Sequence, residues 1–303
     1  MSRLLLVVLC LGLISASRVK ADTTGIGVFT YQNGTFATIP NSALDTPLGI
    51  DNAGELLLAT DGNIGNPVLF SAGTVTSISV PGATTEAYSM SQNGTIFGSY
   101  VTNTRIYFTD LNSSFINIDL PGLPRTTGNA LINDKGQVIA SNFSCCNLPD
   151  FIYDIKTAGI MPISFPGATA TSLIAINNNG QVLGVASWGP AGVLYFIYSG
   201  GTFIPLALPA GCSPDGINDS DEIVGTCFFK GGFFQGFLYK SGIITYIVYN
   251  GNSNLNDTLI SDINDSGEIV GTFIDAPESS TLSQLGIGLL FVAGLILNLK
   301  RLA

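Results

Sequence analysis

Six copies of one short pattern, spaced by little more than forty residues, constrain this chain more than any other feature of its sequence. The pattern is an apolar residue, Asn or Asp, turn residues, usually Gly, then an acid or amide and an apolar run. It begins at Ile50 (Asp-Asn-Ala-Gly-Glu-Leu-Leu), Met90, Ile132, Ile176, Ile217 and Ile263, with steps of 40, 42, 44, 41 and 46 residues. Asn and Asp bond their own backbone in tight turns, and Gly accepts the positive φ that a β-carbon resists, so each copy predicts a hairpin. Asp221 stands where the fifth copy should have its Gly.

A second half-unit alternates with the first. Phe237-Leu238-Tyr239-Lys240-Ser241-Gly242 shows it best: an aromatic strand, a turn and another strand. It recurs near Phe196, Phe151, Phe108 and Val68, and once more at Phe29-Thr30-Tyr31-Gln32-Asn33-Gly34, ahead of any copy of the first half. Many of these strands stop at proline, at Pro81, Pro121, Pro166 and Pro209, where a strand has to end. Each whole unit therefore holds four short strands in just over forty residues, and a lone four-stranded meander cannot cover both of its faces. The arithmetic predicts an all-β, six-bladed β-propeller of four-stranded blades. The chain opens on a second half and closes on a first half, so the two halves should combine into one blade and remove the free edges of an open array. An open β-solenoid is the alternative, but it would strand both half-units. The 36 glycines and the sparse charge, with 11 basic and 21 acidic residues, fit many turns and short strands and leave little for long charged helices.

The two ends read as addresses. Met1–Ala21 has the form of a secretory signal helix: Arg3, then the apolar stretch Leu4–Ile14, then Val19-Lys20-Ala21 as a small-residue cleavage pattern, with cleavage expected between Ala21 and Asp22. At the other end, Leu282–Leu299 is apolar on all sides and is followed at once by Lys300 and Arg301. Its 18 residues would make a helix of about 27 Å, enough to cross the hydrocarbon core, with a basic end suited to the cytoplasmic side. Residues 1–21, 22–275 and 276–303 are thus expected to be signal, repeat domain and tail. Removing signal and tail takes away five basic residues and one acidic one, moving the net charge from −10 to −14. That surface has no electrostatic footprint for nucleic acid and nothing that draws it to anionic lipid by charge.

The order of Pro277-Glu278-Ser279, apolar helix and basic terminus resembles the PEP-CTERM sorting signal of Gram-negative bacteria, with Ser279 in place of the motif's second proline. The resemblance implies recognition by an exosortase-like sorting enzyme and retention at the cell envelope, the surface or an extracellular matrix. A plain uncut membrane anchor is the simpler alternative. The repeat itself is similar to the bacterial HAF extracellular repeats: Phe237, Tyr239 and Gly242 fall on that pattern, as do Phe196 with Tyr198, Phe151 with Tyr153, and Phe29 with Tyr31 and Gly34. The family's histidine is missing, because this chain has none.

Absence of His removes Ser-His-Asp and Cys-His catalysis and the commonest zinc ligand. Carboxylates remain, but most recur at equivalent turn positions, whereas an acid pair needs two unlike environments. Asn218, Asp219 and Asp221 offer hard oxygen ligands, and calcium is the cofactor they would suit; a hairpin turn is the plainer reading, since no copy keeps the EF-hand spacing. Cys212 and Cys227 flank the fifth turn, and a cross-strand disulfide is expected between them in an exported protein. Cys145 and Cys146 are neighbours, whose mutual bond would strain the backbone, leaving free thiols or an interchain bond. Trp188, in a Gly/Pro loop, is the aromatic best suited to stacking on a sugar ring. The expected function is a non-enzymatic envelope or matrix module that binds polysaccharide or a surface protein. The alternative is a carboxylate-dependent, glycan-active enzyme on the same scaffold.

Overall fold

The computed structural model describes residues 26–42, 45–60, 65–103, 105–111, 114–118, 130–140, 150–249 and 256–275. The signal with its Ala21–Asp22 cleavage point, Cys145, Cys146, and the tail with Pro277, Glu278, Ser279 and the apolar run 282–299 lie outside them. Among the described residues no helix is long and apolar enough to cross a membrane; a 3-10 turn spans Gly189–Ala191.

Twenty-four strands form six separate four-stranded sheets. The chain enters with β1 (Ile26–Gln32) and β2 (Thr35–Thr38), then completes five blades in order. Blade A is β3 (Thr46–Ile50), β4 (Leu56–Ala59), β5 (Pro67–Ser71) and β6 (Thr74–Ser77). Blade B is β7 (Thr84–Met90), β8 (Ile96–Val101), β9 (Arg105–Leu111) and β10 (Ser114–Ile118). Blade C is β11 (Ala130–Ile132), β12 (Gln137–Ala140), β13 (Phe151–Asp154) and β14 (Gly159–Pro162). Blade D is β15 (Ala170–Ile176), β16 (Val182–Ser187), β17 (Val193–Ser199) and β18 (Thr202–Leu206), and blade E is β19 (Cys212–Ile217), β20 (Ile223–Phe228), β21 (Phe234–Lys240) and β22 (Ile243–Ile247). The last two strands, β23 (Asn256–Ile263) and β24 (Ile269–Asp275), return to the start and give blade F the order β2-β1-β24-β23. The split halves therefore close the circle, and the solenoid alternative falls.

The first strand of each blade is the innermost: β3, β7, β11, β15, β19 and β23 touch one another in turn around the axis. Antiparallel pairing then gives the ring two unlike faces. Inner strands run into the Asn-Asp turns on one face, here called the ring face; second strands run back to the other, the loop face, where blades are joined.

A glycine at the end of the repeat's apolar run has a packing reason. The Gly that ends Ile-Val-Gly sits on the second strand directly opposite the Phe of the third, as in Gly98↔Phe108, Gly184↔Phe196 and Gly225↔Phe237. A β-carbon on Gly225 would stand 2.2 Å from the Ser213 carbonyl oxygen and 2.8 Å from the Phe237 ring; Gly271 is held as tightly by Leu259 and Phe29. The missing side chain lets the ring lie flat on the strand, so Phe29, Phe108, Phe196 and Phe237 are fully buried. The core is laid down between blades. Phe29 and Ile260 of blade F pack with Val224 and Ile247 of blade E, while Leu183 and Leu206 of blade D meet Ile217 and Ile223 of blade E.

Candidate functional site

On the ring face, the Asn-Asp turns do two jobs. Within a blade, the Asn218 Oδ1 accepts the Ser220 and Glu222 N–H groups at 3.1 and 3.0 Å, which shapes the turn. Its amide nitrogen donates to Glu222 Oε2 at 2.9 Å and, across the blade boundary, to the Asn264 carbonyl at 3.0 Å. Asn133, Asn177 and Asn264 repeat the crossing, reaching the carbonyls of Asn177, Asn218 and Asp51. All four are buried. The next residue adds a second strap, its main-chain N–H going to an oxygen of the following turn. Asn93 donates to Asp134 Oδ1, Asp134 to Asn178 Oδ1, Asn178 to Asp219 Oδ1 and Asp219 to Asp265 Oδ1. Asp265 then donates to Asn52 Oδ1, and Asn52 to the Gln92 carbonyl, so the circle is complete in steps of 2.7 to 2.9 Å. Gln92 also reaches past blade A to bond Asp265 and the Ile263 carbonyl.

This arrangement places the calcium candidates. Asn218 and Asp219 each commit a side-chain oxygen to main-chain N–H groups of the turns. Asp221 occupies the Gly corner with φ 61° and is exposed. Among the described residues no three His, Cys, Asp or Glu side chains converge as a metal-holding group.

Behind the ring, four of the inner strands, β3, β7, β15 and β19, are bulged at equivalent places. The register slips between Pro47 and Gly49, Ala87 and Ser89, Leu173 and Ala175, and Pro214 and Gly216. The extra residue is Leu48, Tyr88, Ile174 or Asp215, each half-buried between buried neighbours. Bulges re-aim side chains, and here one of them re-aims a carboxyl. Asp215 is hydrogen-bonded to Thr226, and burial pushes its pKa up to about 8. On the next blade, Asp262 Oδ2 accepts the Ile50 N–H at 3.2 Å and Oδ1 the Ile263 N–H at 2.8 Å. Burial pushes it up to about 7, against the pull of those two bonds. The flanking inner strand makes room: a β-carbon on Gly216 would lie 3.0 Å from Asp262 Oδ1. A carboxyl still protonated near neutrality can donate a hydrogen bond or a proton, which an ordinary aspartate cannot.

Neither acid stands at a repeated turn position. Their signal was a break in the repeat: Asp215 and Asp262 immediately precede Gly-Ile-Asn and Ile-Asn, where other copies hold Leu48-Gly49, Tyr88-Ser89 or Ile174-Ala175. Tyr88 belongs to a further cluster that the sequence did not disclose. The Arg105 guanidinium donates to Glu86, Tyr88 and Ser99 on neighbouring strands of blade B. Burial raises Glu86, but Arg105 and Tyr88 outweigh it and hold the carboxyl below its usual range.

On the loop face, Cys212 and Cys227 are opposed on β19 and β20 and joined as a disulfide. Trp188 donates its indole N–H to the Gly167 carbonyl at 2.7 Å and packs edge-on against Phe165 at 5.7 Å. Its ring thus pins two loops together.

Six four-stranded blades around one axis decide the architecture. The chain is a six-bladed β-propeller. It superposes on a putative TolB from Agrobacterium tumefaciens with a TM-score of 0.62 and 12% identity, over 84% of this chain and all of that one. TolB from Acinetobacter baumannii gives 0.51 and 13%, over 84% of this chain and 66% of that one. At such identities the likeness is one of fold. No family model matches the chain, and no curated protein does.

Proposed function

We propose that this propeller is a non-enzymatic binding or structural module of the bacterial envelope or matrix, exported by residues 1–21 and sorted or anchored through residues 276–303. The observation that carries the reading is the use made of the turn residues. The turn oxygens and amides, the groups suited to a ligand, are committed to straps between blades, which yields a stiff ring that presents loops. Polysaccharide or another surface protein is the proposed partner, and an exosortase-like enzyme is proposed to handle the tail.

A second reading has one specific observation behind it. Burial raises the carboxyl pKa values of Asp215 and Asp262, on adjacent inner strands, to about 8 and about 7, the direction a general acid in a glycan-active enzyme needs. A glycan array combined with a turnover screen separates the two. Binding without product, unchanged in Asp215→Asn and Asp262→Asn, supports the module; product that either substitution abolishes supports the enzyme. Deleting residues 276–303 should release the protein from the cell, and unchanged retention would refute the sorting reading.

A further inference from the structure

The hairpin joining β20 to β21 reads Phe228-Phe229-Lys230-Gly231-Gly232-Phe233-Phe234. It is tight and self-stacked. The Phe229 N–H donates to the Phe233 carbonyl at 3.1 Å and the Gly232 N–H to the Phe229 carbonyl at 2.9 Å. Phe229 stacks on Phe233 at 5.3 Å, Phe228 packs on Phe234 at 5.1 Å, and Tyr246 meets Phe229 edge-on. Its base is fixed three ways: by the Cys212–Cys227 disulfide, by the Phe228 N–H on the Gly211 carbonyl, and by the Phe234 N–H on Asp257. Yet apolar surface is left in water here: Phe228 is 48% and Tyr246 44% exposed, Phe229, Phe233 and Phe234 are half-buried, and on the adjacent blade Val193, the first residue of β17, is 59% exposed on the same face.

We infer that this tip docks into the interfacial layer of a lipid bilayer. Two observations choose that partner. First, the hairpin 228–234 offers apolar rings and one cation, Lys230, and no hydroxyl or amide side chain of its own; the one hydroxyl beside it is that of Tyr246 on β22. Sugar recognition needs placed polar groups around the stacking ring, whereas aromatic rings with a snorkelling lysine suit the headgroup boundary. Second, chain direction brings the bilayer to this face. β24 runs from the ring face to the loop face and ends at Asp275. Six residues then separate it from Leu282, a reach of at most about 20 Å. That second argument rests on the proposed anchoring of the tail; the tip's composition does not.

The test uses the full chain in phosphatidylcholine vesicles with brominated acyl chains, which quench nearby tryptophan. Trp188 is the chain's one tryptophan, so Trp188→Phe clears the background for three single reporters: Phe228→Trp at the tip, Phe291→Trp in the tail and Ser266→Trp on the ring face. The tip reporter should shift to the blue and lose most of its emission, while the ring-face reporter keeps its own. A quenched tail with an unquenched tip overturns the inference and leaves the anchor standing; a quenched tip with an unquenched tail supports the inference and refutes the anchor. Neither quenched overturns both. A tip reporter that responds to dextran in solution and ignores vesicles makes the hairpin a glycan platform instead. Should Trp188→Phe unfold the chain, emission of native Trp188, on the same face, is read in chains with and without Phe229→Ser and Phe233→Ser; quenching that those substitutions leave intact overturns the inference.

Discussion

Replacing Asn218 by aspartate changes one NH2 to an oxygen and nothing else in shape, yet the ring should lose much of its hold at that boundary. The two acceptors now served by the amide are the Asn264 carbonyl at 3.0 Å and Glu222 Oε2 at 2.9 Å. Both would face an oxygen. Two lost hydrogen bonds and a buried carbonyl left without its donor amount to roughly 3–5 kcal/mol, and the carboxylate placed against Glu222 adds to that. The new carboxyl, buried where Asn218 has no exposure and beside a like charge, would have its folded-state pKa raised above the unfolded value of about 4. Its penalty is therefore full above the folded pKa and shrinks as pH falls through that value towards about 4, because the folded state binds the extra proton more tightly. Urea unfolding followed by Trp188 emission, at pH 7 and at pH 5, measures both effects. A cost under about 1 kcal/mol, or one that does not shrink in acid, would refute the strap argument.

Other outcomes follow from the same structure. Asp215 and Asp262 have folded pKa values raised by burial to about 8 and about 7, so stability should rise as pH is lowered from about 8 to about 4; Asp215→Asn with Asp262→Asn should flatten that slope in a pH series of melting curves. Gly225→Ala drives a β-carbon into the Ser213 carbonyl and the Phe237 ring, and should cost about 2–3 kcal/mol in urea, whereas alanine is already native at the equivalent Ala140, opposite Phe151. Asp110 stands where the other blades have Tyr31, Phe70, Tyr153, Tyr198 and Tyr239; its buried Oδ1 is unpartnered, and burial raises its pKa. Asp110→Tyr should therefore stabilise the chain by about 1–2 kcal/mol, read as a higher melting temperature.

The fold was legible because repetition is a long-range signal: five whole units flanked by two half-units at near-constant spacing leave little besides a closed ring. The hairpin at each Asn-x-x-Gly was equally readable, since turn chemistry is local. The Asn amides were read too locally. Their second partner lies about forty residues away, and only packing brings it within reach. The two inner-strand acids were hidden for the opposite reason. A search for repeated acids discards the two that break the pattern, and Asp215 becomes distinctive only once a bulge turns it between buried neighbours.

Blade F joins the first two strands of the domain to the last two, and this dictates when the protein can finish folding. Until β23 and β24 are available, β1 and β2 have no sheet to join, and blades A and E face no closing partner. The ring thus stays open for nearly the whole of synthesis, its first two strands waiting for its last two. Closure comes in a single late step, and it seals start and finish side by side.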